Sequence, residues 1–235
     1  MRGKIIAALV SLLLLVGALA AVAILLFQVR VIKVSGCGSL DAQEVAALSG
    51  IKIGQNIFFV DKQAAMESLA GNPVVKPVSV KVVYPYTVEI AIEERTAAAY
   101  IDVGSVRLTI DSEAVVIAVD DNPQGDALPQ AAGFSTARFE LGHALGEDAY
   151  KREVFTRLLT ALAGSGIEYV CIDLTYASAI KLTTADGFIV ELGNEDNLTI
   201  KFSLTLRMME EAGALGKSGG IIDVTTAKKA YYREN

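Results

Sequence analysis

A continuous apolar segment over residues 5–27, IIAALVSLLLLVGALAAVAILLF, constrains the fold of this chain more than any other feature. An α-helix rises about 1.5 Å per residue, so a helix of this length can cross a hydrocarbon core of about 30 Å. The segment also explains the hydrophobic content of 52%, which is high for a soluble chain. We therefore predict a single transmembrane helix over residues 5–27, preceded by a short tail, residues 1–4.

Basic residues flank the apolar segment on both sides and set its predicted orientation. Arg2 and Lys4 precede it, and Arg30 and Lys33 follow it. The side chains are balanced, so the N-terminal amine and the shortness of the tail favour a cytoplasmic N-terminus. The chain after residue 28 is then expected to be extracytoplasmic.

Two processing signals compete with this interpretation. Ala18-Leu19-Ala20 and Ala21-Val22-Ala23 resemble signal-peptide cleavage sites, although the apolar run is longer than the roughly 7 to 15 residues of a signal-peptide core. Val34-Ser35-Gly36-Cys37 resembles the box that precedes a lipid-modified cysteine in bacterial lipoproteins, but Arg30 and Lys33 separate it from the apolar core. Both readings are weaker than that of an uncleaved anchor.

The charge of the remaining chain disfavours nucleic acid as a partner. The formal net charge is −6, and without Arg2 and Lys4 the remainder carries −8, which repels phosphate backbones.

The two cysteines, Cys37 and Cys171, are far apart in sequence. An extracytoplasmic location permits a disulfide between them, and two isolated thiols are the alternative.

The region after the apolar segment has a strand-helix-helix-strand-strand pattern. Residues 29–35 alternate as a strand, and Asp41 and Asp61 are placed to cap two short helices. Two alternating segments then flank Tyr84-Pro85-Tyr86 and predict a hairpin. In its first strand, Val78, Val80 and Val82 are expected to share one face.

This pattern resembles the POTRA domain of the FtsQ/DivIB family of bacterial cell-division proteins. The motifs that carry the resemblance are Gly36, the loop Gly54-Gln55-Asn56-Ile57-Phe58, the prolines Pro73 and Pro85, and the pair Glu94-Arg95. The resemblance implies a POTRA domain over residues 29–97 and an FtsQ/DivIB-type β-domain over residues 98–235.

Residues 98–235 have their own pattern of strands and helices. Helical spacing is found at residues 147–162 and 196–212. Strand patterns are found in two β-rich runs around Asp111-Ser112-Glu113, within residues 106–120, and at residues 167–174, 179–184 and 188–192. The predicted fold class is α+β: one N-terminal transmembrane helix, a POTRA domain (β-α-α-β-β), and a C-terminal mixed β-domain with packed helices.

No residue pattern in the chain indicates a catalytic, cofactor-binding or metal site. His143 is the only histidine, so a His/Cys metal site has no closely spaced pair of ligands. Gly216-Lys217-Ser218 lacks the glycine and the strand-to-helix context of a phosphate-binding loop. We predict a protein that is not an enzyme and has neither cofactor nor small-molecule substrate.

The family resemblance implies a single-pass membrane scaffold of the divisome, concentrated at the division septum. Its implied partners are FtsB/DivIC-type and FtsL-type proteins and, indirectly, the septal peptidoglycan synthase, with membrane lipid around the N-terminal helix. The implied partner-binding region is a last strand over residues 221–226, extended by residues 227–232. Its predicted contact residues are Ile221, Ile222, Asp223, Val224, Thr225, Thr226, Tyr231 and Tyr232.

Alternatives to this function remain open at the level of sequence. A POTRA domain also occurs in accessories of protein export or envelope assembly, and a membrane-anchored hydrolase with an unfamiliar site is a third possibility. Tyr231 and Tyr232 could also complete the core of their own domain rather than meet a partner.

Overall fold

The computed structural model of this protein describes residues 2–121 and 128–234. The chain divides into two compact units, Met1–Glu94 and Arg95–Asn235. The first helix, α1, covers Arg2–Leu26. Among the residues that the structure describes, no helix has both the length and the apolar character needed to cross a membrane. The helix expected over residues 5–27 is present as α1, which begins three residues earlier and ends one residue earlier. Its membrane-spanning role stays a prediction.

The first unit contains a three-stranded sheet with two helices. The central strand β3 pairs in parallel with β1 and antiparallel with β2, giving the order β1-β3-β2. The elements in chain order are β1, Val31–Ser35; α2, Ala42–Leu48; a 3-10 turn, Ile57–Phe59; α3, Lys62–Ala70; β2, Val75–Val83; and β3, Thr87–Glu94. This is the predicted β-α-α-β-β order.

Local sequence signals explain where α2 and α3 begin. Asp41 accepts a hydrogen bond from the amide of Gln43 at 3.0 Å, and Asp61 accepts one from the amide of Ala64 at 3.0 Å. Both aspartates are therefore N-caps, as predicted. Val45 of α2 and Leu69 of α3 are buried and pack in one core with Val88 and Ile90 of β3.

One predicted feature of the hairpin is wrong. Val78 does not share the core face with Val80, because its side chain is 57% exposed whereas Val80 is buried. The register shifts between Pro77 and Ser79, so Val78 is the extra residue of a β-bulge. Pro77 has no amide hydrogen to donate, and β2 is an edge strand, where such an irregularity is tolerated.

The second unit is a nine-stranded sheet with two helices among the described residues. Its nine described strands have the order β12-β11-β10-β9-β8-β7-β4-β5-β6. The strands are β4, Ala99–Val103; β5, Val106–Ile110; β6, Val116–Asp120; β7, Gln130–Ala132; β8, Tyr169–Asp173; β9, Ile180–Thr184; β10, Phe188–Gly193; β11, Gly220–Asp223; and β12, Tyr231–Arg233. The helices are α4, Ala149–Ala163, and α5, Leu198–Ala214.

The core of this unit lies between the sheet and the helices. Phe155 and Leu158 of α4 and Phe202 of α5 are buried against strand residues such as Leu182 and Val190. The helices and the β8–β10 meander lie close to their predicted positions. The strands β4 and β7 were not predicted, since β7 has only three residues and β4 follows the hairpin without a turn signal.

Both cysteines are free thiols. Cys37 lies in the first unit and Cys171 on β8 of the second, and both are partly buried. Burial raises the pKa of each thiol. Of the two alternatives predicted from the sequence, a disulfide or two isolated thiols, the structure shows the isolated thiols.

Candidate partner-binding edge

The eight residues predicted to bind partners lie on two strands and the turn between them. Ile221, Ile222 and Asp223 belong to β11, and Val224, Thr225 and Thr226 begin the turn. Tyr231 and Tyr232 lie on β12, which runs antiparallel to β11 and pairs Tyr232 with Ile222. The structure thus brings all eight together in one strand-turn-strand unit at the end of the sheet.

The single strand predicted over residues 221–226 ends early. Asp223 stops it, because its carboxylate accepts hydrogen bonds from the amide of Thr225 at 3.0 Å and from the hydroxyl of Thr225 at 2.8 Å. This side chain-to-backbone turn diverts the chain from the ladder. Ala227, with φ of 52°, then reverses its direction.

The strand at the edge of the sheet is therefore β12 and not β11. β11 lies between β10 and β12, and both Ile222 and Val224 are fully buried in the core. These two predicted contact residues therefore belong to the core of their own unit, and a direct role in partner binding stays a prediction. β12 has a strand neighbour on one side only among the described residues, so its other side presents unpaired backbone groups.

The two tyrosines of β12 have different environments. Tyr231 is 58% exposed and points away from the core. Tyr232 is partly buried against the core, with its ring 6.4 Å from that of Phe188 and its hydroxyl donating to the carbonyl of Gly219 at 3.1 Å. Tyr232 therefore fixes β12 to its own domain, while Tyr231 remains available on the surface.

Gly220 allows this close attachment. It has φ of 114°, and a Cβ at this position would lie 2.6 Å from the ring of Tyr232 and 2.9 Å from the carbonyl oxygen of Arg233. A glycine is needed where a ring and a backbone approach so closely with positive φ. The pair Gly219-Gly220 is the sequence signal that could have identified this contact.

Two ion pairs hold the C-terminal end of β12 in place. Arg233 contacts Glu191 of β10 at 2.6 Å, and Glu191 also meets Lys181 of β9 at 3.4 Å. Lys217 contacts Glu234 at 2.6 Å and lies 5.1 Å from the ring centre of Tyr232. The hydrogen bond between Lys217 and Glu234 is the main reason that the pKa of Lys217 is raised and the pKa of Glu234 is lowered.

A groove lies beside this edge, between α5 and the chain that leads into β12. Its volume is about 210 Å³. One wall has apolar and charged side chains of α5, and the other has the two exposed lysines that precede β12. The lining residues are Leu204, Arg207, Met208, Glu211, Lys228, Lys229 and Ala230.

A buried lysine supports α5 beside this edge. Lys201 is 1% exposed, and its ammonium donates to the carbonyl oxygen of Asn194 at 2.8 Å and to the side-chain oxygen of the same residue at 3.1 Å. Burial lowers the pKa of Lys201. This lysine ties the loop after β10 to α5; periodicity alone places it on a helix but does not show that it is buried.

His143 occupies an exposed loop before α4. Its Nδ1 lies 3.3 Å from the carbonyl oxygen of Leu141 and 3.9 Å from the carboxylate of Glu140. Within residues 2–121 and 128–234, no three His, Cys, Asp or Glu side chains come together in a way that could hold a metal ion.

Comparisons with known proteins agree with this architecture. Residues 27–95 match the family model described as POTRA domain, FtsQ-type. Over 85% of its length the chain is 22% identical to a cell division protein DivIB of Clostridium acetobutylicum, covering 80% of that relative. A DivIB of Clostridium botulinum is 24% identical over 85% of the chain and 78% of the relative. A cell division protein FtsQ of Corynebacterium glutamicum is 34% identical over 43% of the chain and 45% of the relative.

Proposed function

Because the chain belongs to the FtsQ/DivIB family of cell-division proteins, we propose that it is a non-enzymatic membrane scaffold of the bacterial divisome. It is held in the cell membrane by α1 and binds its partners through the edge strand β12. These partners are division proteins of the FtsB/DivIC and FtsL types. Through them the protein acts on the septal peptidoglycan synthase.

The side chains of α1 support its role as the anchor. Leu12, Leu13, Leu14 and Leu15 are consecutive, and each is more than half exposed. Successive residues of an α-helix point about 100° apart, so four consecutive leucines cover all sides of the helix. A helix that is apolar on every side needs apolar surroundings. In this proposal the N-terminus is cytoplasmic, residues after α1 are extracytoplasmic, and the protein collects at the septum.

The open side of β12 carries the proposal of partner binding. An unpaired edge accepts a strand from another chain, with main-chain hydrogen bonds for affinity and alternate side chains for specificity. Exposed Tyr231 provides an aromatic contact, which is the type of residue that often dominates binding energy at interfaces. The adjacent groove extends this surface beyond the three residues of β12.

The experiment that tests this proposal is capture of the partners by Tyr231 variants of the full chain from detergent-solubilised membranes. Tyr231→Glu places a charge at the centre of the surface and is expected to weaken capture of the FtsB/DivIC-type protein about tenfold or more. Tyr231→Phe keeps the ring and is expected to capture normally.

The matched control is Tyr176→Glu, because Tyr176 is 69% exposed and lies in the loop between β8 and β9. It makes the same chemical change on the same unit, away from β12. Equal capture by Tyr231→Glu and Tyr176→Glu would reject β12 as the partner edge. A circular dichroism spectrum that matches the unmodified chain shows that each variant is folded.

A further inference from the structure

An aromatic cluster of two exposed rings and one partly buried ring lies where α1 leads into the first unit. We name Phe27, Phe58 and Tyr84 the aromatic collar. Their ring centres are 5.1 Å apart for Phe27 and Phe58, 5.3 Å for Phe58 and Tyr84, and 6.5 Å for Phe27 and Tyr84. Phe27 directly follows the last residue of α1, so the collar begins where that helix ends.

Backbone hydrogen bonds fix the collar to the segment that leaves α1. The amide of Ile57 donates to the carbonyl of Phe27 at 2.8 Å, and the amide of Val29 donates to the carbonyl of Gln55 at 2.8 Å. On the other side, the amide of Arg30 donates to the carbonyl of Tyr86 at 2.9 Å. The loop at residues 53–59 and the tip of the β2–β3 hairpin are therefore both attached to the chain within four residues of α1.

The loop that carries Phe58 has further exposed apolar side chains. Phe58 is 55% exposed and Tyr84 58%, while Phe59 reaches 83% and Ile53 63%. Ile57, from the same 3-10 turn, is buried in the core, whereas these four side chains are on the surface of the unit. A group of exposed apolar side chains of this kind marks a contact with another molecule or with a membrane.

The position and chemistry of the collar favour a lipid surface over a protein partner. Aromatic side chains concentrate at membrane–water interfaces, where an apolar ring and a polar tip such as the Tyr84 hydroxyl are both satisfied. Exposed Arg30 lies on the segment that leaves α1, and exposed Lys52 directly precedes the loop at residues 53–59. The Arg30 guanidinium is 5.8 Å from the ring centre of Tyr86. Basic groups at this depth attract anionic headgroups. The nearby acid Asp61 is engaged as the cap of α3.

We propose that the aromatic collar inserts into the headgroup region of the membrane that holds α1. The first unit then contacts the bilayer through the collar as well as through α1, and this second contact restricts its rotation about the segment after α1. This inference rests on the proposed membrane anchor, since the collar lies at the bilayer surface only if α1 crosses the bilayer.

The test uses single tryptophans as depth reporters, because the chain contains no tryptophan of its own. Phe58→Trp is introduced into the full chain, which is reconstituted in vesicles of phosphatidylcholine and phosphatidylglycerol. Bromine atoms placed on the acyl chains quench a nearby indole, and two lipid preparations carry them either near the headgroup or near the terminal methyl. We expect the Phe58→Trp emission to be quenched more strongly by the shallow bromines than by the deep ones.

Two further variants separate the collar from the anchor. Leu14→Trp lies in the middle of α1 and is expected to be quenched more strongly by the deep bromines. Phe139→Trp replaces a 40% exposed phenylalanine of the second unit and is expected to be quenched by neither preparation. Should Phe58→Trp fail to fold, Tyr84→Trp at an equally exposed position of the collar provides the same measurement.

The outcomes distinguish a failure of the collar from a failure of the membrane anchor. Quenching of Leu14→Trp without quenching of Phe58→Trp would overturn the collar and leave the anchor intact. Absence of quenching in Leu14→Trp would overturn both. A blue-shifted but unquenched Phe58→Trp would show that a protein surface, such as a second copy of this chain, covers the collar in place of lipid.

Discussion

Glu94, the last residue of β3, is the most strongly perturbed carboxyl group in the first unit. It accepts hydrogen bonds from the Ser39 hydroxyl and from the amides of Gly38 at 2.7 Å and Ser39 at 2.8 Å. These bonds, with the Ser39 hydroxyl as the largest contribution, lower its pKa from 4.5 to about 2. Glu94 thereby fastens the turn after β1 to the end of β3 in its ionised form.

The lowered pKa predicts how the stability of this unit depends on pH. A carboxyl whose pKa is lower in the folded state stabilises the fold above its unfolded pKa and loses this contribution as the pH falls through its folded pKa. Glu94→Gln is therefore expected to destabilise the chain at pH 7, and the difference from the unmodified protein should shrink as the pH falls from about 4.5 toward about 2. Urea unfolding of the full chain in detergent, followed by circular dichroism, measures this difference.

The matched control is Glu93→Gln at the neighbouring position. Glu93 meets Lys76 at 3.7 Å, and its side chain is 65% exposed, so this pair contributes little. Stability curves for Glu94→Gln and the unmodified chain that stay parallel down to the lowest pH would contradict the assigned role of the carboxylate.

Two motif glycines of the first unit differ in what surrounds them. Gly36 and Gly54 both have positive φ, 90° and 88°. A Cβ on Gly36 would lie 1.8 Å from the carbonyl oxygen of Ile92, whereas a Cβ on Gly54 would meet no atom within 4 Å. The sequence marks both as glycines of a motif but does not distinguish the crowded one from the open one.

This difference predicts unequal costs of the same substitution. Gly54→Ala adds only backbone strain and is expected to lower the free energy of unfolding by roughly 1–2 kcal/mol. Gly36→Ala adds a collision with the backbone of β3 and is expected to cost clearly more, since β1 and β3 must separate. Urea unfolding measures the free energy of unfolding of both variants. Equal decreases would show that β1 and β3 move apart at Gly36 without additional cost.

At the scale of elements, the attachment of β12 depends on one of its two tyrosines. Tyr232→Ala removes the contact with Phe188 and the hydrogen bond to Gly219, and a partly buried ring of this size is expected to cost about 2 kcal/mol. Tyr231→Ala is the matched control, with an expected change within about 0.5 kcal/mol because the side chain is exposed. Amide hydrogen exchange at residues 220–224 should accelerate only in Tyr232→Ala; equal exchange in both variants would mean that β12 is not fixed by Tyr232.

The elements also show where sequence-based prediction succeeds and where it ends. Asp41 and Asp61 identify both helix starts of the first unit because capping is a local interaction. The exposure of Val78 depends on the register between β2 and β3, and the split between β11 and β12 depends on a turn at Asp223. The alternating sequence pattern continues through both places, so the pattern alone does not show the bulge or the turn. The pair Gly219-Gly220 marks a close approach in the sequence, but its partner Tyr232 is twelve residues away and is identified only in the folded chain.

At the scale of the whole molecule, the candidate edge is basic on an acidic protein. The chain has a net charge of −6, but residues 216–234 contain four basic residues, Lys217, Lys228, Lys229 and Arg233, against the two acids Asp223 and Glu234. Lys217 and Arg233 are used in ion pairs within the unit. Lys228 and Lys229 are exposed, line the groove beside α5, and form no ion pair with a described residue.

These two lysines predict that the partner presents acidic groups and that association depends on salt. Complementary charges raise the association rate, and salt screens them over about 10 Å at 0.1 M. Lys228→Glu/Lys229→Glu is expected to slow association with the captured partner and to flatten its dependence on salt, with a smaller effect on dissociation. The control Lys62→Glu/Lys81→Glu gives the same net charge of −10 by changing two exposed lysines of the first unit. If both double variants slow association equally, the net charge of the chain alone sets the association rate. If only Lys228→Glu/Lys229→Glu slows it, the electrostatic attraction of the partner originates at the β12 edge.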